Sequence, residues 1–279
     1  MNDAKKFDAL LDGYFKQTLA ARPVWANHLG MRAAEGLLGE PSLKAIRVDE
    51  KRRQQLLADM DQLAPSALSA EQHLDRLAVR AMVMAECEDF DRGIHRLNPN
   101  AVDHVFGALL HELQRGEDEP TRARRNVRAL LEQTPKYLRQ AARLVDRPER
   151  VWRRVMDQTA TGAGALFEAV SSFMGDDSRH LIAAAQKAVV QYHAQVMSRP
   201  LAAKNSFALG SDRLQRRVLD ELGLDYTLGQ VEALALSEAD RIGGLLAKAC
   251  AKHGRGQSAE SIIEKARSEW KPQGDLLEV

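Results

Sequence analysis

The chain has 279 residues, 44% hydrophobic and 28% charged, a balance that excludes fibrous, disordered and membrane-embedded classes and leaves room for one large domain or two smaller ones. Forty Lys and Arg against 39 Asp and Glu give a net charge of +1, so no global field draws in nucleic acid or an anionic membrane. The two cysteines, Cys87 and Cys250, lack Cys-x-x-Cys spacing; they read as buried small hydrophobes in a reducing, cytoplasmic compartment.

From the N-terminus, Phe7, Leu10, Leu11, Tyr14, Phe15 and Leu19 recur every three or four residues, predicting an amphipathic helix from Asp3 to Ala21. Pro23 suits the first turn of a short helix that Gly30 ends. After a loop at 36–42, a charged helix runs to about Leu63. Ser69 with Gln72 makes a capping-box pattern, and Leu74, Leu77, Ala78, Met82, Ala85 and Phe90 then mark the expected apolar face. Leu97-Asn98-Pro99 interrupts, and a helix follows from Ala101 to Gln114.

Beyond the acidic loop 116–120, a helix begins at Thr121, and Pro135 is expected to open a new one capped by Thr134. Pro148 starts a long helix through Phe173, weakened at Gly162 and Gly164; Ser178 caps the next, to Met197. Ser211 or Asp212 caps a helix to Leu222, with Gly223 as its left-handed stop. Thr227 and Gln230 repeat the capping box for a helix to about His253, and a last helix follows Ser258. At the end, Leu276, Leu277 and Val279 look like the opening of a further helix, so an early stop is expected. The fold class is therefore all-α: about ten helices in an irregular bundle, little or no sheet, and one unit with sub-lobes at 1–115 and 120–279. No stretch reaches the roughly 20 apolar residues that a membrane span needs.

Candidate chemistry is sparse. His111-Glu112 would need a second His one turn on to make a zinc helix, and position 115 is Arg. His104 and His111 share a face but lie two turns apart, too far for one metal without an intervening ligand. Glu86, Glu88, Asp89 and Asp91 near His95 read as a solvated face. The Arg-rich stretch from Arg122 to Arg154 interleaves with apolar residues, as on the wet side of amphipathic helices. Within it Arg150, Arg153 and Arg154 form a candidate interaction face. There is no nucleophile elbow and no phosphate loop. No catalytic, cofactor-binding or metal residue is assigned. Trp25, Trp152 and Trp270 read as core or interface anchors.

Several segments in order, Phe7-x-x-Leu-x-x-x-Tyr14, Pro23-Val-Trp-Ala-Asn-His-Leu-Gly30, Leu68-Ser-Ala-Glu-Gln-His-Leu-Asp75, Leu97-Asn-Pro99, Pro135-Lys-Tyr-Leu138, and Phe207-Ala-Leu-Gly210 with Leu222-Gly-Leu224 and Thr227, resemble the N-terminal half of the bacterial domain of unknown function 885 family. Asn27 stands where that family often has Thr. The resemblance implies an α-helical, zinc-peptidase-like protein whose His-Glu zinc helix and Glu-Gly-Trp segment lie beyond the matched half, so zinc is expected only where a catalytic half is present. The expected function is a non-catalytic helical scaffold, one version being half of a split enzyme whose other half docks near Leu276, Leu277 and Val279. The alternatives are an independent binding protein using the Arg face, and an enzyme with an unrecognised site around His104, His111 and the 86–91 acidic cluster.

Overall fold

A computed structural model describes residues 2–254 and 256–270. Among them are thirteen α-helices and no strand: α1 (Asp3–Ala21), α2 (Pro23–His28), α3 (Leu43–Asp61), α4 (Ala70–Asp91), α5 (Ile94–Leu97), α6 (Ala101–Arg115), α7 (Pro120–Ala141), α8 (Arg150–Thr161), α9 (Ala163–Met174), α10 (Arg179–Met197), α11 (Ser211–Asp220), α12 (Leu228–His253) and α13 (Ala259–Glu269). The chain is all-α, as expected. It divides into two compact units, Met1–Leu209 and Gly210–Val279. The expected border at 115–120 falls inside the first unit, between α6 and α7, which pack against each other.

Short polar side chains set many helix starts. Asn2 accepts from the Lys5 amide, Ser42 from Ala45 and Ser258 from Ser261, each at 3.1 Å, and a side-chain cap of this kind contributes about 1 kcal/mol. Both capping boxes form as the sequence predicts, at Ser69–Gln72 and Thr227–Gln230. Gly223 has φ 63°, the left-handed stop expected after α11.

Four local expectations are corrected. Pro135 lies inside α7 and opens no new helix, and Thr134, fully buried, donates its Oγ1 to the Leu130 carbonyl at 2.8 Å and caps nothing. An internal proline costs about 3 kcal/mol, but one unbroken stripe of Val127, Leu130, Leu131 and Leu138 is buried across it, at roughly 1.5–3 kcal/mol for each large side chain. The helix expected from Pro148 to Phe173 is two helices, separated at Gly162; the Glu149 carboxylate caps the first by accepting from the Val151 amide at 2.7 Å. Ser178 is buried and its hydroxyl makes no cap, accepting instead from Arg128 at 3.4 Å. Gly210, not Ser211 or Asp212, sits at the N-cap of α11.

The first unit holds two apolar cores. One joins α1, α3 and α4 through Phe7, Tyr14, Leu56, Met60, Val79 and Val83. The other is built around α6, α7 and α10, with α8 and α9 closing it through Met156, Phe167 and Val170. On α4, Val79 and Val83 enter the core and Met82 of the expected face packs against it, whereas Leu74 and Leu77 are exposed, so the N-terminal part of the expected face is not buried. Trp25 and Trp270 are also exposed, while Trp152 lies 5.9 Å from the Phe207 ring. At the end of α6 the Phe173 ring comes so close to Gly116 that a Cβ there would stand 2.6 Å from it. The Arg124 guanidinium covers that ring at 5.3 Å and donates to the Phe173 carbonyl at 3.0 Å.

Within the second unit, Gln215 ties α11 to the start of α12, donating to the Tyr226 carbonyl at 2.7 Å and accepting from the Leu228 amide at 2.9 Å. No residue of α12 or α13 is buried. Leu234, Leu236, Ile242, Leu245 and Leu246 on α12 are all exposed.

Candidate functional site

Two polar features stand out in the first unit, and both follow from charged residues placed in apolar register. On α6 the buried positions Val102, Val105, Ala108 and Leu109 continue at Glu112, which is 0% exposed. Its carboxylate accepts from Asn27 Nδ2 at 2.7 Å, Arg115 Nη1 at 2.9 Å and Asn126 Nδ2 at 3.0 Å. Beside it Glu35, whose side chain is 5% exposed, receives Arg122, Asn126 at 3.1 Å and Arg115 at 3.3 Å. Two carboxylates thus meet two guanidiniums and two amides, a neutral set that satisfies the buried charges. The Arg122 guanidinium holds the Glu35 carboxyl down at about 2 despite burial.

The second feature is a cleft of about 720 Å³ between the two cores, reached from α3, α4, α5, α6 and α7. Glu86, in the α4 stripe one turn past Val83, forms its floor. It accepts from Arg22 at 2.9 and 2.7 Å and from Arg53 at 2.6 Å, and Arg53 also donates to Glu50 at 2.9 Å. The walls carry two stacked pairs, Phe90 on His95 at 5.5 Å and His104 on Tyr137 at 5.2 Å. Burial pushes the Tyr137 hydroxyl well above its ordinary range.

The histidines weighed from the sequence do not converge. His104 donates its Nε2–H to the Leu38 carbonyl at 3.1 Å, whereas His111 stacks on His28 at 4.3 Å and accepts at Nε2 from Arg115 at 3.0 Å. A guanidinium always donates, so His111 is neutral here and its lone pair is engaged. The residues therefore do not fit a zinc ion at this place. Among the described residues no three His, Cys, Asp or Glu side chains are grouped to hold a metal. The 86–91 cluster also separates, Glu86 turning to Arg22 and Arg53 and Asp89 pairing with Arg92 at 3.4 Å. Cys87 and Cys250 are free thiols, each partly exposed; burial raises Cys87 to about 12, so it is no thiolate.

Much of the Arg-rich stretch is internal clamping. Arg122 holds Glu35, Arg124 covers Phe173 and Arg128 reaches Ser178. On α8, Arg150 and Arg154 are exposed beside exposed Val151 and Val155, while Arg153 is half-buried and donates to the Arg199 carbonyl at 3.5 Å. Leu276, Leu277 and Val279 lie outside the described residues.

Burial lowers the pKa of His95, His104 and His111, with the His28 charge adding to the last two. In each case the unfolded chain takes up a proton near the ordinary 6.5 before the folded chain does. Stability is therefore complete above about 6.5 and falls as pH drops through that value. Glu35 adds a second loss, between its ordinary 4.5 and about 2. Urea unfolding at pH 7.5, 5.5 and 3.5 should show stepwise lower midpoints; a flat profile between 7.5 and 5.5 would refute the histidine part.

The sequence did not single out Asn27–Glu112–Asn126 or Arg22–Glu86–Arg53. Their signal is a charge or amide in register with an apolar stripe: Glu112 three residues after Leu109, Glu86 three after Val83, and Asn126 beside Val127. Asn27 donates to Glu112 at 2.7 Å.

No curated protein matches the sequence. A solved structure described as "a putative lipoprotein of unknown function from Shewanella oneidensis" superimposes with TM-score 0.67 at 16% identity, covering 93% of this chain and 51% of the other. The likeness shows a shared fold, and this chain spans about half the length of that protein. The family model described as bacterial protein of unknown function, DUF885, matches residues 23–275, and the chain belongs to that family.

Proposed function

We propose that this chain is a non-catalytic helical scaffold, the N-terminal part of a zinc-peptidase-like assembly, whose other part covers α12. The observation that carries this is α12 itself: 26 residues with none buried and five large aliphatic side chains in water. A helix gains most of its stability by burying an apolar face, so one that buries none calls for a covering surface. The twofold length of the structurally similar protein gives that surface a source. The catalytic zinc would belong to the other part, since the two candidate ligands His104 and His111 are engaged by Leu38 and Arg115.

A cytoplasmic setting accords with two unpaired cysteines. A separate binding role for the exposed Arg150 and Arg154 face, flanked by Val151 and Val155, is the second reading. The test is native purification from the source cells, with peptide hydrolysis, zinc content and amide exchange measured on the chain alone and as recovered. Alone, it should hydrolyse no peptide and exchange rapidly at 228–253. Recovered from cells, it should be joined to or bound by a His-Glu-bearing segment that protects α12. Hydrolysis with stoichiometric zinc by the chain alone would sink the proposal, as would strong protection of α12 without a partner.

A further inference from the structure

Between α1 and α3, on the water-facing side of the first core, runs a groove of about 490 Å³. Its floor is apolar, made by Leu10, Tyr14 and Leu56 of that core, and half-exposed Val48 stands on its α3 lip. A smaller depression on α3, reaching back to Leu43, shares Val48 and Lys51 with it. One continuous trough therefore follows α3 from Leu43 to Asp59, roughly 24 Å at about 1.5 Å per residue. On the α1 lip Ala9 and Gly13 lie one turn apart, and a Cβ on Gly13 would meet nothing within 4 Å. Glycine weakens a helix interior, and no contact inside the protein requires it here. Its effect is to leave the trough open to a closely packed backbone.

The α3 lip carries charge of one sign. Lys44, Arg47 and Lys51 follow one another at one-turn intervals, all exposed, and among the described residues none of the three side chains makes an ion pair or hydrogen bond. The carboxylates nearby are committed elsewhere: Asp49 to Arg52 at 2.8 Å, Asp59 to Gln55 at 2.8 Å and Glu40 to Ser42 at 2.7 Å. Lys44 also sits in the first turn of α3, which holds no acidic residue, and there the helix dipole disfavours a cation. Like charges one turn apart repel each other as well. Local energetics oppose this row in a chain whose net charge is only +1, and an external anion relieves it.

We infer that the α1–α3 trough docks an acidic amphipathic helix of a separate polypeptide, its apolar stripe on Leu10 and Val48 and its carboxylates on Lys44, Arg47 and Lys51. An apolar floor beside a row of unpaired cations is the complement of such a helix, the floor giving affinity and the charges giving orientation. A bilayer or a nucleic-acid duplex is too broad to reach the floor between two adjacent helices, whereas a single helix, about 10 Å across, can settle against it. This inference is independent of the scaffold reading, which rests on α12, because every residue it uses lies between positions 9 and 59.

The probes are two capped synthetic peptides of about four helical turns, with Leu at every third or fourth position and Ala and Glu between, the second having Lys for each Glu. Each would be titrated into the isotope-labelled full chain and followed by NMR. The acidic peptide should saturate below about 1 mM, shift the amides of Gly13, Val48 and Lys51, and bind about tenfold more tightly than its lysine twin, the size of three exposed ion pairs. Its affinity should fall as salt rises through about 0.1 M. Joint Lys44→Glu, Arg47→Glu and Lys51→Glu replacement should reverse the preference in favour of the lysine twin, and Gly13→Leu should weaken both peptides by filling the trough. Should the triple variant fail to fold, Gly13→Leu and the wild-type shift map decide: shifts along the trough that Gly13→Leu suppresses support the site, and shifts confined elsewhere overturn it. Equal binding of the two peptides, no saturation by the acidic one, or an unchanged preference in the folded triple variant would each overturn it as well. So would binding of the same face to vesicles of about 30% phosphatidylserine without binding of the acidic peptide, which would assign the cations to a membrane surface.

Discussion

Replacing Glu112 by alanine is expected to destabilise the first unit by about 3–5 kcal/mol, the cost of removing one partner from a buried ionic set. The reason is geometric: Asn27 Nδ2, Asn126 Nδ2 and Arg115 Nη1 all donate to this one carboxylate. Arg115 would lose its nearest carboxylate and keep Glu35 at 3.3 Å as its ion-pair partner, with Asn27 Oδ1 and His111 Nε2 as neutral acceptors at 3.0 Å. For a unit of this size the loss corresponds to a drop in Tm of roughly 6–20 °C. Glu112→Gln, which keeps an acceptor but loses the charge, should cost less, and the two variants together separate charge from shape. Differential scanning calorimetry would check both, and a loss under about 1 kcal/mol in Glu112→Ala would show that the network does not hold α2, α6 and α7 together.

Phe7→Ala should cost a comparable amount, about 3–5 kcal/mol for an aromatic core truncation. Phe7 is 1% exposed and packs in the core of α1, α3 and α4 with Leu56, Met60 and Val83. That core is separate from the one around α6, α7 and α10, so the damage should be local. Amide exchange should accelerate in α1, α3 and α4 well before α7 and α10. Uniform acceleration would mean that the two cores unfold as a single cooperative body.

The helical class was legible because apolar periodicity and caps act locally. Asn2, Ser42, Ser69, Thr227 and Ser258 each bind an amide two or three residues into their own helix, and no tertiary information is needed to place them. Pro135 defied its local meaning because the stripe of α7 is buried against α6 and α10 on both sides of it. The N-terminal part of the α4 face was misjudged for a related reason. Leu74 and Leu77 look like core by residue type, but the helix turns Val79 and Val83 inward and delivers Glu86 to Arg22 and Arg53. The candidate site was the least legible part. Asn27 and Glu112 are 85 positions apart, as are many of the other partners at similar distances, and a contact of that span leaves only a charge in an apolar row as its trace.

The contact between Gly116 and Phe173 limits how this region can vary. The ring occupies the space where any other side chain would begin, and Arg124 fixes it from α7. Glu117 and Asp118 can change identity with little effect on either helix, whereas Glu119, at the N-cap of α7, pairs with Arg122 at 2.5 Å. The position at which the loop leaves α6 cannot move, so length variation here should accumulate after residue 116 and never before it.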